Sequence, residues 1–272
     1  MSTQKTEALH DLVNNPVSRR EFAKRTMAGG FMAAGAFATF GAAEVFAQNA
    51  TDIAVLNFAL NLEYLEAEFY QVATTGTRIT DAGIGITGRG ASGPTTGGAR
   101  VSLSANVQTV ANHVTLDELK HVAFLRTALG SAAIAKPAIN LDALNLGFRN
   151  EQEFLILSRA FEDLGVSAYA GAAKLIDNAN ILEAAARIAL TEGQHAGVFR
   201  YLIALANVAI PQVDTSDVPP LGSPNGRLFQ VDGNGLSTIR TAGQVLRVAY
   251  GAAGSRGGFF PNGVNGDITV AT

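Results

Sequence analysis

The sequence predicts an all-α fold, a four-helix bundle with a long crossover between its second and third helices. Two observations predict it. The first is a pair of Glu-x-x-His motifs, Glu118-Leu119-Lys120-His121 and Glu192-Gly193-Gln194-His195. Residues three apart share one helix face, so each motif turns a carboxylate and an imidazole toward one point. The second is a glutamate-bearing apolar segment ahead of each motif, the arrangement by which four helices surround a dinuclear metal site. Beyond the N-terminal region the chain has the histidines His113, His121 and His195. Two of these carry Glu three positions earlier, roughly a one-in-two-hundred coincidence for a chain with this glutamate content.

The first helix spans Leu56 to Tyr70 and is expected to start at Thr51 or Asp52. Leu56, Ala59, Glu63, Glu66 and Tyr70 share one stripe, while Glu68 points elsewhere. Glu63 is the preferred ligand and Glu66 its close rival. The following insertion, Thr74 to Arg100, is rich in Gly and Thr, contains Pro94 and breaks any helix. It is expected as a long surface loop, either mobile or part of an interaction surface.

The second helix carries Val107, Val110, Val114, His121, Leu125 and Leu129 at helical spacing, with Glu118 on the same stripe. A carboxylate on a buried stripe requires a partner. Either motif alone is as well explained by a surface pair or a satisfied core histidine; two in the same phase favour a metal. Gly130 to Asn150, with Pro137, is long enough to cross the bundle.

The third helix opens on Asn150-Glu151-Gln152-Glu153, which has capping-box form. Its face of Leu155, Ser158, Glu162, Val166 and Tyr169 makes Glu162 the ligand, and Asp163, one position out of phase, is expected in solvent. The fourth helix presents Ala185, Ala189, Glu192, His195, Phe199 and Leu202. The predicted metal ligands are therefore Glu63, Glu118, His121, Glu162, Glu192 and His195. Tyr70 and Tyr169 face the same interior and are candidates to hydrogen-bond ligand carboxylates.

After the bundle, Ile210 to Gly235 reads as irregular loop and Leu236 to Tyr250 as a short helix. Phe259, Phe260 and Pro261 are expected to clamp aromatic area onto the bundle. An oligomer contact or a lid is the alternative.

Ser18-Arg19-Arg20-Glu21-Phe22-Ala23-Lys24 matches a twin-arginine export signal, followed by a mildly apolar stretch from Met27 to Ala43. That stretch is too short and too polar for a spanning helix. Val45-Phe46-Ala47 offers a cleavage site, so the expected domains are 1–47 signal peptide, 48–208 bundle and 209–272 C-terminal extension. The expected location is periplasmic or extracellular. Export of folded protein lets the metal load in the cytoplasm, away from copper and zinc that outcompete iron and manganese.

The net charge of −3 and the lack of a basic cluster argue against nucleic acid as a partner. No segment of the mature chain is long and apolar enough to span a membrane, and a homo-oligomer is compatible with the sequence. With no cysteine there is no disulfide, haem thiolate or iron–sulfur cluster.

The order of ligand motifs around a long crossover resembles the ferritin-like superfamily. More narrowly, Leu56 to Tyr70, with Arg240-Thr241-Ala242-Gly243-Gln244-Val245-Leu246 and Gly257-Gly258-Phe259-Phe260-Pro261-Asn262-Gly263, resembles the desiccation-related ferritin-like proteins. The resemblance implies a bundle holding two iron or manganese ions, with Glu118 and Glu192 bridging or chelating and His121 and His195 terminal. Three function classes follow: redox chemistry on peroxide or oxygen, metal sequestration, and a non-catalytic stress-protective bundle. The missing cysteine excludes a rubredoxin-type electron centre, so an oxygenase-like cycle would need an external donor.

Overall fold

The computed structural model describes residues 49–272 apart from residue 211. The twin-arginine motif and the cleavage site lie outside the described residues. The helices are α1 (Ala50–Thr75), α2 (Ala105–Leu129), α3 (Glu151–Ala172), α4 (Ala179–Ala206) and α5 (Ala242–Tyr250). α1 lies along α2, and α3 along α4, which gives the expected all-α bundle. Among the described residues no helix is long and apolar enough to cross a membrane.

α1 starts earlier than its sequence suggests. The Asn49 side chain accepts from the Asp52 amide, so Asn49 is the cap. Asp52 sits within the first turn, where its carboxylate accepts from the Asp177 amide. From residue 55 to residue 74 every position of α1 is buried. α2, α3, the insertion and the C-terminal segment surround it.

The insertion after α1 lies on the surface as expected, but it is pinned. Its strand β1 (Thr95–Thr96) pairs in parallel with β2 (Ile139–Asn140) of the crossover. Beneath them the buried Lys136 ammonium donates to the Gly93 carbonyl at 2.9 Å and to Thr95 Oγ1 at 2.8 Å. Thr95 in turn donates to Glu68 Oε1 at 2.7 Å. That network explains why Glu68 turns away from the bundle centre. A Cβ at Gly93 would stand 2.4 Å from the Ala138 amide nitrogen, so this backbone approach requires glycine.

At the start of α3 the Asn150 side chain accepts from the Glu153 amide, as a capping box requires. The reciprocal bond is absent: the Glu153 carboxylate accepts instead from the Gly147 and Arg149 amides. Asp163 is a correction. It is buried, ion-paired with Arg159 at 2.7 Å and with Arg200 at 2.5 Å. Burial raises its pKa to about 6 even against those two guanidinium groups.

This buried cluster anchors the C-terminal extension. Arg159 reaches Asp217, and Arg200 donates to the carbonyls of Val218, Pro219, Arg227 and Leu228. Arg240 forms a two-pronged pair with Asp214 at 2.6 and 2.8 Å and donates to Ser167 Oγ of α3. α5 begins at residue 242, not 236, because Thr241 and Gln244 form a complete capping box. Leu236 and Ile239 stay exposed ahead of it. Phe259 and Phe260 are buried, and Phe259 meets Phe161 of α3 edge-on at 5.1 Å. The tail is a clamp.

Candidate metal centre

The six predicted ligands converge in the bundle interior. α1 supplies Glu63, α2 Glu118 and His121, α3 Glu162, and α4 Glu192 and His195. The four carboxylates are 0 % exposed, and both imidazoles are buried. Their donor atoms form two overlapping quartets, Glu63–Glu118–His121–Glu192 and Glu118–Glu162–Glu192–His195. Within each quartet these atoms lie within 4.8 Å of one another. Glu118 and Glu192 belong to both, the placement that bridging ligands need.

The distances are close to even. His121 Nδ1 faces Glu63 Oε2 and Glu192 Oε1 at 3.2 Å and Glu118 Oε2 at 3.4 Å. His195 Nδ1 faces Glu118 Oε1 at 3.1 Å and Glu162 Oε2 at 3.3 Å. The outer carboxylates are each held by a tyrosine from the facing helix. Tyr169 donates to Glu63 Oε1 at 2.5 Å, and Tyr70 donates to Glu162 Oε1. This leaves Oε2 of each glutamate turned inward.

The inward atoms test whether a metal fits. Glu63 Oε2, both oxygens of Glu118 and Glu192, Glu162 Oε2 and both Nδ1 atoms are buried without a hydrogen-bond partner. Buried polar atoms are normally satisfied, so a cluster of eight orphans requires an explanation. Two divalent cations would satisfy all eight, and a carboxylate–imidazole donor set suits iron or manganese. The residues fit the group.

The electrostatics describe the same need. Burial raises Glu63 to about 7 despite the facing His121, and burial together with Glu118 and Glu162 raises Glu192 well above the carboxylate range. Burial would also raise Glu118, but His121 and His195 outweigh it and hold that carboxyl low. For the imidazoles burial opposes the charge. Glu63 and Glu118 at His121, and Glu162 at His195, overcome it and push both well above the usual histidine value. The site thus keeps protons that a metal would displace.

Glu66, the rival to Glu63, is buried on α1 but outside both quartets. Burial, then Glu192 and Glu118, raise its pKa well above the ordinary value. Glu68 belongs to the Lys136 network, and His113 is exposed on a polar cleft outside the histidines. That cleft, about 480 Å³, reaches His121 and His195 past Asp117, Lys120 and Gln194.

Two participants escape the stripe pattern. Asp117 Oδ2 faces His195 Nε2 at 3.6 Å, on the side away from the quartets. A carboxylate there orients the imidazole, as backing groups of metal-binding histidines do. Its position next to Glu118 puts it off the apolar stripe, and its neighbour His195 lies far along the chain. Gly165 is the other: a Cβ there would stand 2.8 Å from Glu192 Oε2. No ligand pattern marks a glycine that leaves room.

A sequence model for a ferritin-like domain matches residues 51–205, which run from the first turn of α1 to the end of α4. Among curated proteins, the ferritin-like catalase Nec2 of Nesocodon mauritianus is 24 % identical, over 80 % of this chain and 84 % of its own.

Proposed function

This chain belongs to the ferritin-like domain family, and from that premise we propose an exported protein with a dinuclear iron or manganese centre that disproportionates hydrogen peroxide. The observation that carries the proposal is the pair of overlapping quartets with eight inward orphan atoms. A bound pair of redox-active ions supplies two-electron exchange without a second cofactor, which suits a chain lacking cysteine. Disproportionation oxidises one peroxide to oxygen and reduces another to water, so it needs no outside donor. The distant relative's name supports peroxide as substrate.

The chain's own residues have separate tasks in this reading. Glu118 and Glu192, common to both quartets, would hold both ions, with Glu63 and His121 holding one and Glu162 and His195 the other. Tyr169 and Tyr70 fix the outer carboxylates, a supporting role that typically changes metal affinity or rate roughly tenfold or more. The cleft beside the histidines, whose lining includes Thr109, Asp117, Lys120, Thr191 and Gln194, offers a path for a small polar molecule such as peroxide.

Protein reconstituted with manganese or iron is expected to bind about two ions per chain. It should release one oxygen molecule for every two peroxides consumed, measured with an oxygen electrode. Fully metallated protein inert toward both peroxide and oxygen overturns the catalytic reading and leaves a protective or sequestering one.

Residues 1–47 are proposed as the export signal, with 48–208 the bundle and 209–272 its extension. Replacing Arg19 and Arg20 by Lys should strand the precursor in the cytoplasm, followed by fractionation and immunoblotting. Secretion of that variant at the normal level rules the signal out.

A further inference from the structure

A second cavity adjoins the metal centre on the side opposite the histidine cleft. It measures about 900 Å³, within the range of small-molecule sites, and is partly open to solvent. It lies between α1, α3 and the C-terminal extension, with walls that include Leu62, Leu65, Ile156, Phe161, Leu164 and Val248. Leu144 and Val213, both exposed apolar side chains, form part of the same lining.

Arg247 lies exposed on the lining, and the other basic and aspartate groups along its walls are already engaged. Arg159 is paired with Asp163 and Asp217, and Asp214 is paired with Arg240. Glu66 differs. The residue is 5 % exposed, lines the cavity, and has no hydrogen bond or ion pair among the described residues. A buried acceptor without a donor is costly unless something satisfies it. The wall behind it is thin: at Gly165 an added Cβ would stand 3.4 Å from Glu66 Oε1 and 2.8 Å from Glu192 Oε2.

The geometry points to a binding site for a neutral apolar compound bearing one hydroxyl, its body against the leucine and phenylalanine walls and its hydroxyl donating to Glu66. An anionic head would bring a second carboxylate against Glu66 at the inner end, and two like charges at one buried point cannot both stay ionised. A cationic head would exchange its hydration for a buried ion pair with Glu66, whose desolvation penalty can exceed the Coulombic gain. A neutral hydroxyl satisfies Glu66 without either cost. The bound hydroxyl would lie one glycine away from a ligand shared by both quartets.

The site is tested by binding, independently of any peroxide activity, on the metal-loaded full mature chain with metal content measured alongside. 2-Naphthol serves as a fluorescent neutral probe and 2-naphthoate as its anionic counterpart. Saturable binding of one naphthol per chain is expected, at least tenfold tighter than naphthoate. Ala160→Trp, which fills the chamber, and Val213→Trp, at an exposed position on its lining, should each weaken naphthol binding tenfold or more. Glu66→Leu should narrow the preference for naphthol over naphthoate by about tenfold. Val213→Trp alters an exposed residue, so it keeps the test decisive if Ala160→Trp fails to fold. No saturable naphthol binding, tighter naphthoate binding, or naphthol binding indifferent to Val213→Trp overturns the assignment. Failure of peroxide turnover alone leaves it standing.

Discussion

Replacing His121 and His195 together by alanine is expected to drop metal content from about two ions per chain to below one. Each quartet contains a single nitrogen donor, and the variant removes both. The remaining carboxylates sit in a dry interior where burial raises Glu63 and Glu192, so they favour protons over a weakly held cation. The stabilisation conferred by metal should vanish with it. For a ligand present at a thousand times its dissociation constant that is about 4 kcal/mol. Metal analysis and thermal unfolding, each with and without added metal, separate this loss from any weakening of the metal-free bundle. Full occupancy in the double variant means that the ligand set is wrong.

Arg200→Ala is the second substitution with a large expected cost. The guanidinium pairs with Asp163 and holds four backbone carbonyls of the extension. Removing one member of a buried ion pair typically costs 3–5 kcal/mol, about what is expected here, because Arg159 is then left to balance both Asp163 and Asp217. Urea unfolding measures the loss, and limited proteolysis should show the first part of the extension, residues 209–241, cleaved first. Changing Asp163 to Asn in the same chain should recover part of the loss, since no unpaired charge then remains beside Arg159. A change within about 0.5 kcal/mol, the range of ordinary surface substitutions, means that the anchor is elsewhere.

The ligand motifs on α2 and α4 were readable because those helices are amphipathic and their phase points inward. α1 resists the same reading. It is buried on every side from residue 55 to residue 74, so its stripe does not separate Glu63 from Glu66, and only the facing helices do. Asp163 is misplaced by phase for a related reason. The extension covers that face of α3 and supplies Asp217, while α4 supplies Arg200, and neither contact is visible in the local pattern. The insertion's glycines read as breakers of helix, which they are. Their second role, admitting the crossover backbone at close range as Gly93 does, depends on a partner some forty residues away. The late start of α5 was available in principle, since Thr241 and Gln244 have the spacing of a capping box.

Asn265 carries a consequence for how the chain is completed. Its amide donates to Asn61 Oδ1 and its carbonyl accepts from the Asn61 side chain, both on α1. Its own carboxamide bonds Ala91 of the insertion and Ala135 of the crossover. A residue near the very end of the polypeptide thus satisfies a buried asparagine near the start of the bundle and joins two connections made much earlier. Without residue 265, α1 is walled on its other sides but the Asn61 side chain keeps only the Asn57 carbonyl of its own helix. Full closure around α1 therefore requires residue 265 to dock, 204 positions along the chain from Asn61.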